Sequence, residues 1–171
     1  FSYLAQEKYY DQGLLLDILT IDEQTYYVKL EYNTQYRHEG ELTLSLLDDT
    51  GVRYYSVTVT LNAEDAYIGG LQGSSHDNTF SRKFTKAFYG MRPKAFVVES
   101  MRLVLTVLGI KNIYAIKNVA HVASHKLLMN YDRLWEEHGA KQHNDQFYLL
   151  PLLRQRRNIE DIKRPKRKMY R

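Results

Sequence analysis

The sequence predicts an α+β fold built on a mixed, mostly antiparallel sheet with flanking helices, and three observations carry that prediction. Between Gly13 and Leu71 the chain is a succession of apolar-rich segments separated by polar turns, the pattern of an antiparallel meander. From Phe80 the period changes: Phe80, Phe84 and Phe88 are four apart, which places three rings on one side of a short helix. After a second helix, the apolar segment Ile110–Ile116 follows within two residues. That implies a crossover back onto the sheet, parallel to Ala66–Leu71.

Taken in order, Gly13–Ile21 is the first strand and Asp22-Glu23-Gln24 its turn. Thr25–Tyr32 alternates, with Val28, Leu30 and Tyr32 on one face and Tyr27, Lys29 and Glu31 on the other. Gly40–Leu47 is the third strand, and Asp48–Gly51 a hairpin turn in which Gly51 is free to take positive φ. Val52–Leu61 is β-branched and aromatic, Asn62–Asp65 turns again, and Ala66–Leu71 closes a meander read as four tight connections. Gly90 stops the first helix, and Pro93 opens the second where the missing N–H costs nothing. Val97, Met101, Val104, Leu105 and Leu108 form its apolar stripe, and Gly109 ends it. A last helix is expected over Leu127–Glu137, with Leu128, Tyr131, Leu134 and Trp135 apolar, stopped by Gly139. Gln146–Leu153 contains Pro151 and is read as an edge strand or an exit loop. Phe1–Tyr10 is aromatic and aperiodic; as Phe1 is not Met, it is read as the end of a truncated segment.

Composition narrows the function classes. With 171 residues, one domain with a real core is expected over 1–153, followed by a basic tail, 154–171. There is no Cys, which excludes disulfides, thiolate metal sites and Cys nucleophiles. No run of about 18 apolar residues occurs, so no transmembrane helix is expected. The net charge of +4 is uneven: Arg154–Arg171 holds nine Lys/Arg against two acids, and the rest is net −3. Whole-chain charge is therefore weak evidence for nucleic acid, whereas the tail suits phosphates of nucleic acid or anionic lipid headgroups. Its single aromatic, Tyr170, gives no platform for stacking bases.

Four constellations carry chemistry. Gly69, Gly70 and Gly73 mark a strand end. Glycine there signals either main-chain amides open to an acyl-pantetheine or phosphate, or a bulge that turns the chain into the helix. Gly90, Arg92 and Lys94 flank the start of the long helix. Bases at a helix N-terminus oppose the macrodipole by about 0.3–1 kcal/mol each, so they mark either an anion site that resolves the conflict or a solvated helix start. His121 and His125 are four apart, spacing that suits a metal pair, but no third ligand follows and no metal is expected. His121 alone, at the end of the buried strand, is a candidate base or a histidine satisfied by a backbone carbonyl. His38, Glu39 and Glu41 open the third strand as a candidate base or a solvated turn, and Asp132 and Trp135 lie on the last helix, where Asp132 bonds backbone or Arg or orients a substrate.

YIGGLQG, TKAFYGMRPK, LGIKNIYAIKN followed by His121, NYDRLWEEHGA and KRPKRKMYR together resemble the VirK/YbjX family of Gram-negative bacterial proteins, from about Leu14 to the C-terminus. That family is described mainly as one of unknown function, with links to virulence and to withstanding cationic antimicrobial peptides. Its members usually carry a helical segment ahead of these strands. The order of elements, in turn, is similar to that of GNAT-type acyltransferases, and NYDRLWEEHGA is similar to the N…LYEKLGF end of those folds.

The second resemblance implies a sheet whose parallel pair splays at the glycine-marked strand, with an acyl-pantetheine in the gap. It implies an acyl donor, either acyl-CoA or an acyl carrier protein, and an amine acceptor on a peptide, protein or small molecule. Gly69, Gly70, Leu71 and Gly73 would line the donor's arm, with amides near Gly70–Leu71 holding it or the oxyanion, and Gly90, Arg92 and Lys94 would meet its phosphates. Glu39 or His121 would take the amine proton, and Tyr131 would serve as acid toward the thiolate. The chain departs from the pattern in having only Gly90-Met91-Arg92 where the phosphate loop Q/R-x-x-G-x-G/A is usual, and in an extra intervening helix. The coenzyme site is then altered, moved to a carrier protein as in the RTX-toxin-activating lysine acyltransferases, or lost. The alternative is a non-catalytic binding protein whose tail engages anionic lipid or nucleic acid. A cytoplasmic location, peripheral to the inner membrane, is expected in either case.

Overall fold

The computed structural model of the chain describes residues 13–32, 34–73, 79–121 and 130–152. The expected α+β architecture is present: one eight-stranded sheet, ordered β1-β2-β3-β4-β5-β6-β8-β7, with three described helices. The strands are β1 (Leu14–Ile21), β2 (Gln24–Tyr32), β3 (Leu42–Asp48), β4 (Arg53–Asn62), β5 (Asp65–Gly73), β6 (Asn112–Ile116), β7 (Lys141–Gln142) and β8 (Phe147–Leu150). The helices are α1 (Phe80–Ala87), α2 (Pro93–Val107) and α3 (Tyr131–Glu137), with a 3₁₀ turn at Asn118–Ala120. Every strand pair is antiparallel except β5–β6. No helix among the described residues is long and apolar enough to cross a membrane.

The core follows the alternation. Val28, Leu30, Leu44, Leu46, Val57, Val59, Ile68 and Leu71 are buried, and α2 packs across β3, β4 and β5 through Val97, Val98, Met101 and Leu105. The rings of Phe80 and Phe84 on α1 and of Phe88, its C-cap, do share a face: Phe84 stacks on Phe88 at 4.3 Å and meets Phe96 of α2 edge-on at 5.2 Å. Phe80 reaches the strands, 4.2 Å from Tyr54. The opposite sheet face is buried but polar: Thr43, Ser45, Ser56 and Thr58 carry hydroxyls bonded across the strands, Thr43 to Thr58 at 3.1 Å and Ser56 to Ser45 at 3.1 Å.

Four boundaries differ from the sequence expectation. The β2–β3 connection is not tight; it takes up Thr34–Glu41, and β3 begins at Leu42 rather than Gly40. Strand β5 continues to Gly73, because its glycines sit inside the ladder: the β4–β5 register jumps from Thr58↔Gly70 to Val59↔Ile68, leaving Gly69 as the bulged residue. Helix α3 starts at Tyr131, since Asn130 is extended and caps it by accepting from the Arg133 N–H at 3.1 Å; Leu127–Met129 lie outside the described residues. Strand β8 is not an edge, because β7, too short to read from sequence, pairs outside it, and Pro151 falls after the last ladder residue.

Topology decides where chemistry can sit. Strands β5 and β6 are parallel and joined through α1 and α2. The C-terminal end of α2 lies beside the start of both strands, where Lys111 N–H bonds Glu64 C=O at 2.7 Å. The start of α2 therefore lies toward the finishing ends of β5 and β6, the side on which open α/β sheets bind ligands. Pairing of β5 with β6 ends at Ile68↔Ala115, so Gly69–Gly73 leaves β6 behind and, among the described strands, keeps β4 alone as a neighbour.

Candidate functional site

The site is assembled from the β2–β3 loop, the freed end of β5, the turn after β6, and α3. The loop is drawn back onto the polar sheet face by short-range bonds. Thr34 Oγ1 accepts from Tyr36 N–H at 3.2 Å and bonds Thr43 Oγ1 at 3.0 Å. Glu39 N–H donates to Tyr36 C=O at 2.8 Å, and Glu41 N–H to Val59 C=O at 3.0 Å. This lays Glu39 across the two glycines. Its backbone carbonyl occupies the place where a Cβ on Gly69 would go, and its carboxylate the place of a Cβ on Gly70. The glycines are required by this close approach of another stretch of main chain.

The Glu39 carboxylate is 8% exposed and the His121 ring 2%. Glu39 Oε1 accepts from Gln72 Nε2 at 2.6 Å and lies 3.0 Å from His121 Nε2. Glu39 Oε2 is buried with no hydrogen-bond partner among the described residues. Burial pushes the Glu39 carboxyl above its ordinary value; the His121 charge and the bonds from Gln72 and His121 oppose this only in part. Stability therefore depends on pH with a definite sign. A raised folded value means that, above the ordinary carboxylate range, the folded chain keeps a proton the unfolded chain has released, so stability falls as pH rises through that window. Urea midpoints measured from pH 4 to pH 8 should show this decline in the wild type and a flatter profile in Glu39→Gln. Parallel profiles would mean that Glu39 is not buried as described.

Tyr131 completes the site. Its ring faces His121 with centroids 5.1 Å apart. Its hydroxyl accepts from Leu71 N–H at 3.0 Å and donates to Leu71 C=O at 2.9 Å. One side chain thus satisfies both main-chain groups of β5 at a point beyond the reach of β6. Burial pushes the phenol up to about 12, the Leu71 backbone bond opposing and the Glu39 charge adding, so it remains a protonated donor at neutral pH.

Helix α3, seven residues long, is pinned at both ends. Tyr131 N–H bonds Asn118 Oδ1 at 2.8 Å, and Asp132 Oδ1 accepts from Asn118 N–H at 3.0 Å. Trp135 Nε1 donates to Ile116 C=O at 2.8 Å. At the far end, His138 Nδ1 lies 3.0 Å from Glu99 Oε1, and Arg102 Nη2 donates to His138 C=O at 2.7 Å.

Several residues singled out in the sequence thus meet: Glu39, His121, Tyr131, Gly69, Gly70 and Leu71. Asp132 bonds backbone, one of the alternatives for it. Gly73 stands apart, against the Tyr55 ring. Gly90 and Arg92 form a second group at the α1–α2 corner, lining a depression of about 610 Å³ that Lys94 does not line. His125 and the basic tail lie outside the described residues. Reasoning from sequence missed Gln72, although its signal was there: two residues beyond Gly70, it shares that face of the strand. It also missed Glu99, Arg102 and His138, which no spacing connects.

The family described as "Protein of unknown function (DUF535)" matches residues 1–171, the whole chain. A Haemophilus influenzae protein described as "Uncharacterized protein" is 31% identical over 177 residues, covering 98% of this chain and 59% of its own length. The "Uncharacterized protein YbjX" of Escherichia coli (strain K12) is 29% identical over 147 residues, 78% of this chain and 44% of its own length. The chain thus spans less than two thirds of either relative. No solved structure matches the chain. Since the family description spans every residue and YbjX is among the relatives, the chain belongs to the DUF535 family, the VirK/YbjX group of proteins of unknown function.

Proposed function

We propose that the chain is a GNAT-like N-acyltransferase domain, with Glu39 and His121 as the proton-accepting pair. The observation that carries this reading is a buried carboxyl 3.0 Å from an imidazole, placed where β5 parts from β6. A carboxyl whose proton affinity burial raises above the ordinary carboxylate range is a stronger base than a solvated one. In the proposed step the amine nitrogen attacks the carbonyl carbon of an acyl thioester and the C–S bond breaks. The amine proton passes to the Glu39–His121 pair; the thiolate accepts a hydrogen bond from Tyr131 and leaves as the thiol on taking a proton from solvent, to which the pair returns its own. Arg92, at the α2 start, would meet donor phosphates if the donor is acyl-CoA. We place this chemistry in the cytoplasm, at the inner membrane when the tail engages lipid, within the virulence setting of the resembling family.

The reading requires Tyr131 to give up Leu71 when the donor enters, freeing one N–H and one C=O for an extended amide. Calorimetric titration with acetyl-CoA, long-chain acyl-CoA and acylated carrier protein tests it, followed by mass spectrometry of an amine acceptor. Transfer should fall by about 10²–10⁴ in Glu39→Gln. Absence of heat with every donor would end the enzyme reading.

One observation favours the non-catalytic alternative. The gap between β5 and β6 is filled: Tyr131 takes both Leu71 backbone groups, and Glu39 covers Gly69 and Gly70. In that case binding rests on segment 154–171, and removing it should abolish retention on anionic vesicles or nucleic acid at low salt. Unchanged retention after truncation would count against it.

A further inference from the structure

The α1–α2 corner is not used by the Glu39–His121 pair or by Tyr131. Its depression of about 610 Å³ is lined by Arg82, Thr85 and Lys86 of α1, by Tyr89 and Gly90 of the connecting turn, and by Arg92, the residue that precedes α2. Among the described residues no acid lines it, and neither helix has an acid in its first turn. Arg82, Lys86 and Arg92 are exposed and form no ion pair among the described residues. Lys83, on the same helix but outside the hollow, lies 3.9 Å from Asp22. Gathering three unpaired cations around one concavity is unfavourable by itself and focuses a positive potential into it.

The depression is open to solvent, and its volume falls in the range of small-molecule sites, about 300–1,000 Å³. Tyr89 adds an aromatic platform at the rim. It is 74% exposed, and its backbone sits at φ 52°, followed by Gly90 at φ 93°. That conformation closes the C-terminus of α1, with Gly90 N–H on Thr85 C=O at 2.8 Å, and the ring it leaves exposed beside cations is suited to stack on a base.

We infer that this hollow binds a phosphate-bearing nucleotide, with its phosphates among Arg82, Lys86 and Arg92 and its base on Tyr89. Of these, only Arg92 stood out in the sequence; Arg82 and Lys86 join it through the turn between the helices. The inference shares Arg92 with the donor-phosphate role proposed above and deepens it, but it uses neither the Glu39–His121 pair nor Tyr131, so ADP binding without acyl transfer would separate the two.

The test is calorimetric titration of the full chain with ADP and with pyrophosphate at low salt. The variants are Arg82→Glu with Lys86→Glu, Lys83→Glu as a single reversal on the same helix outside the hollow, and Tyr89→Gly, which keeps the positive φ accessible. ADP should bind, and the double reversal should weaken it by at least about tenfold. Lys83→Glu should change it by no more than about threefold. Tyr89→Gly should weaken ADP and leave pyrophosphate unchanged. The assignment is overturned if neither probe binds, if Lys83→Glu costs as much as the double reversal, or if Tyr89→Gly affects the two probes equally. Retention on phosphatidylglycerol vesicles without ADP binding would overturn it too, in favour of a lipid surface.

Discussion

Gly69→Ala is expected to destabilise the fold by about 3 kcal/mol, the upper end of the range for overpacking. The new methyl would fall on the Glu39 carbonyl, and that carbonyl cannot swing aside. Its loop is tied by Glu39 N–H to Tyr36 C=O and by Glu41 N–H to Val59 C=O, so either the loop lifts or the β5 bulge is lost. Gly70→Ala meets the same residue differently, through the movable carboxylate. The pair of variants gives a sharp comparison. In a Glu39→Ala background the cost of Gly70→Ala should shrink by more than about 1 kcal/mol, whereas that of Gly69→Ala should not. Urea unfolding of the six chains, wild type included, decides it. A Gly69→Ala cost under about 1 kcal/mol would mean that the loop does not cross the strand there.

Tyr131→Phe is expected to cost about 2–4 kcal/mol, although it removes a single oxygen. The hydroxyl serves both main-chain groups of Leu71, and Tyr131 is 1% exposed, so its loss strands a donor and an acceptor in the interior, each worth about 1–3 kcal/mol. Amide hydrogen exchange gives a local readout: Leu71 N–H should lose protection while Ile68 and Val57 keep theirs. Undiminished protection at Leu71 would show that Tyr131 does not close that edge. The same variant bears on the transferase reading, because it exposes the backbone pair that an extended donor would need.

The two arms of the site were not equally readable. Glycine and alternation are local signals, so strands β2 to β5, the ring face of the first helix and the parallel return of β6 could be read from spacing, and the candidacy of Glu39 and His121 from their places at strand ends, whereas Tyr131 entered as a candidate only through the resemblance to acyltransferases. What brings them together is not local. Glu39 and His121 are 82 positions apart, and Leu71 and Tyr131 are 60; no periodicity relates them. The loop carrying Glu39 looks like a turn opening β3 because Gly40 and the following alternation suit a strand, and only the threonine bonds that fold it back reveal its path. Gln72 was legible once Gly70 was, since side chains on a strand share a face every second residue.

By itself the sequence determined the fold class, the crossover and the positions where a side chain could not be tolerated, because these follow from the period of apolar residues and from the missing Cβ of glycine. Only the tertiary structure decided what lies against those positions. It set the main chain of Glu39 over Gly69, the phenol of Tyr131 on the β5 edge freed by β6, and Arg82 and Lys86 beside Arg92. Each is a meeting of elements remote in sequence, fixed by the pairing of strands and the packing of helices rather than by any preference of the residues themselves.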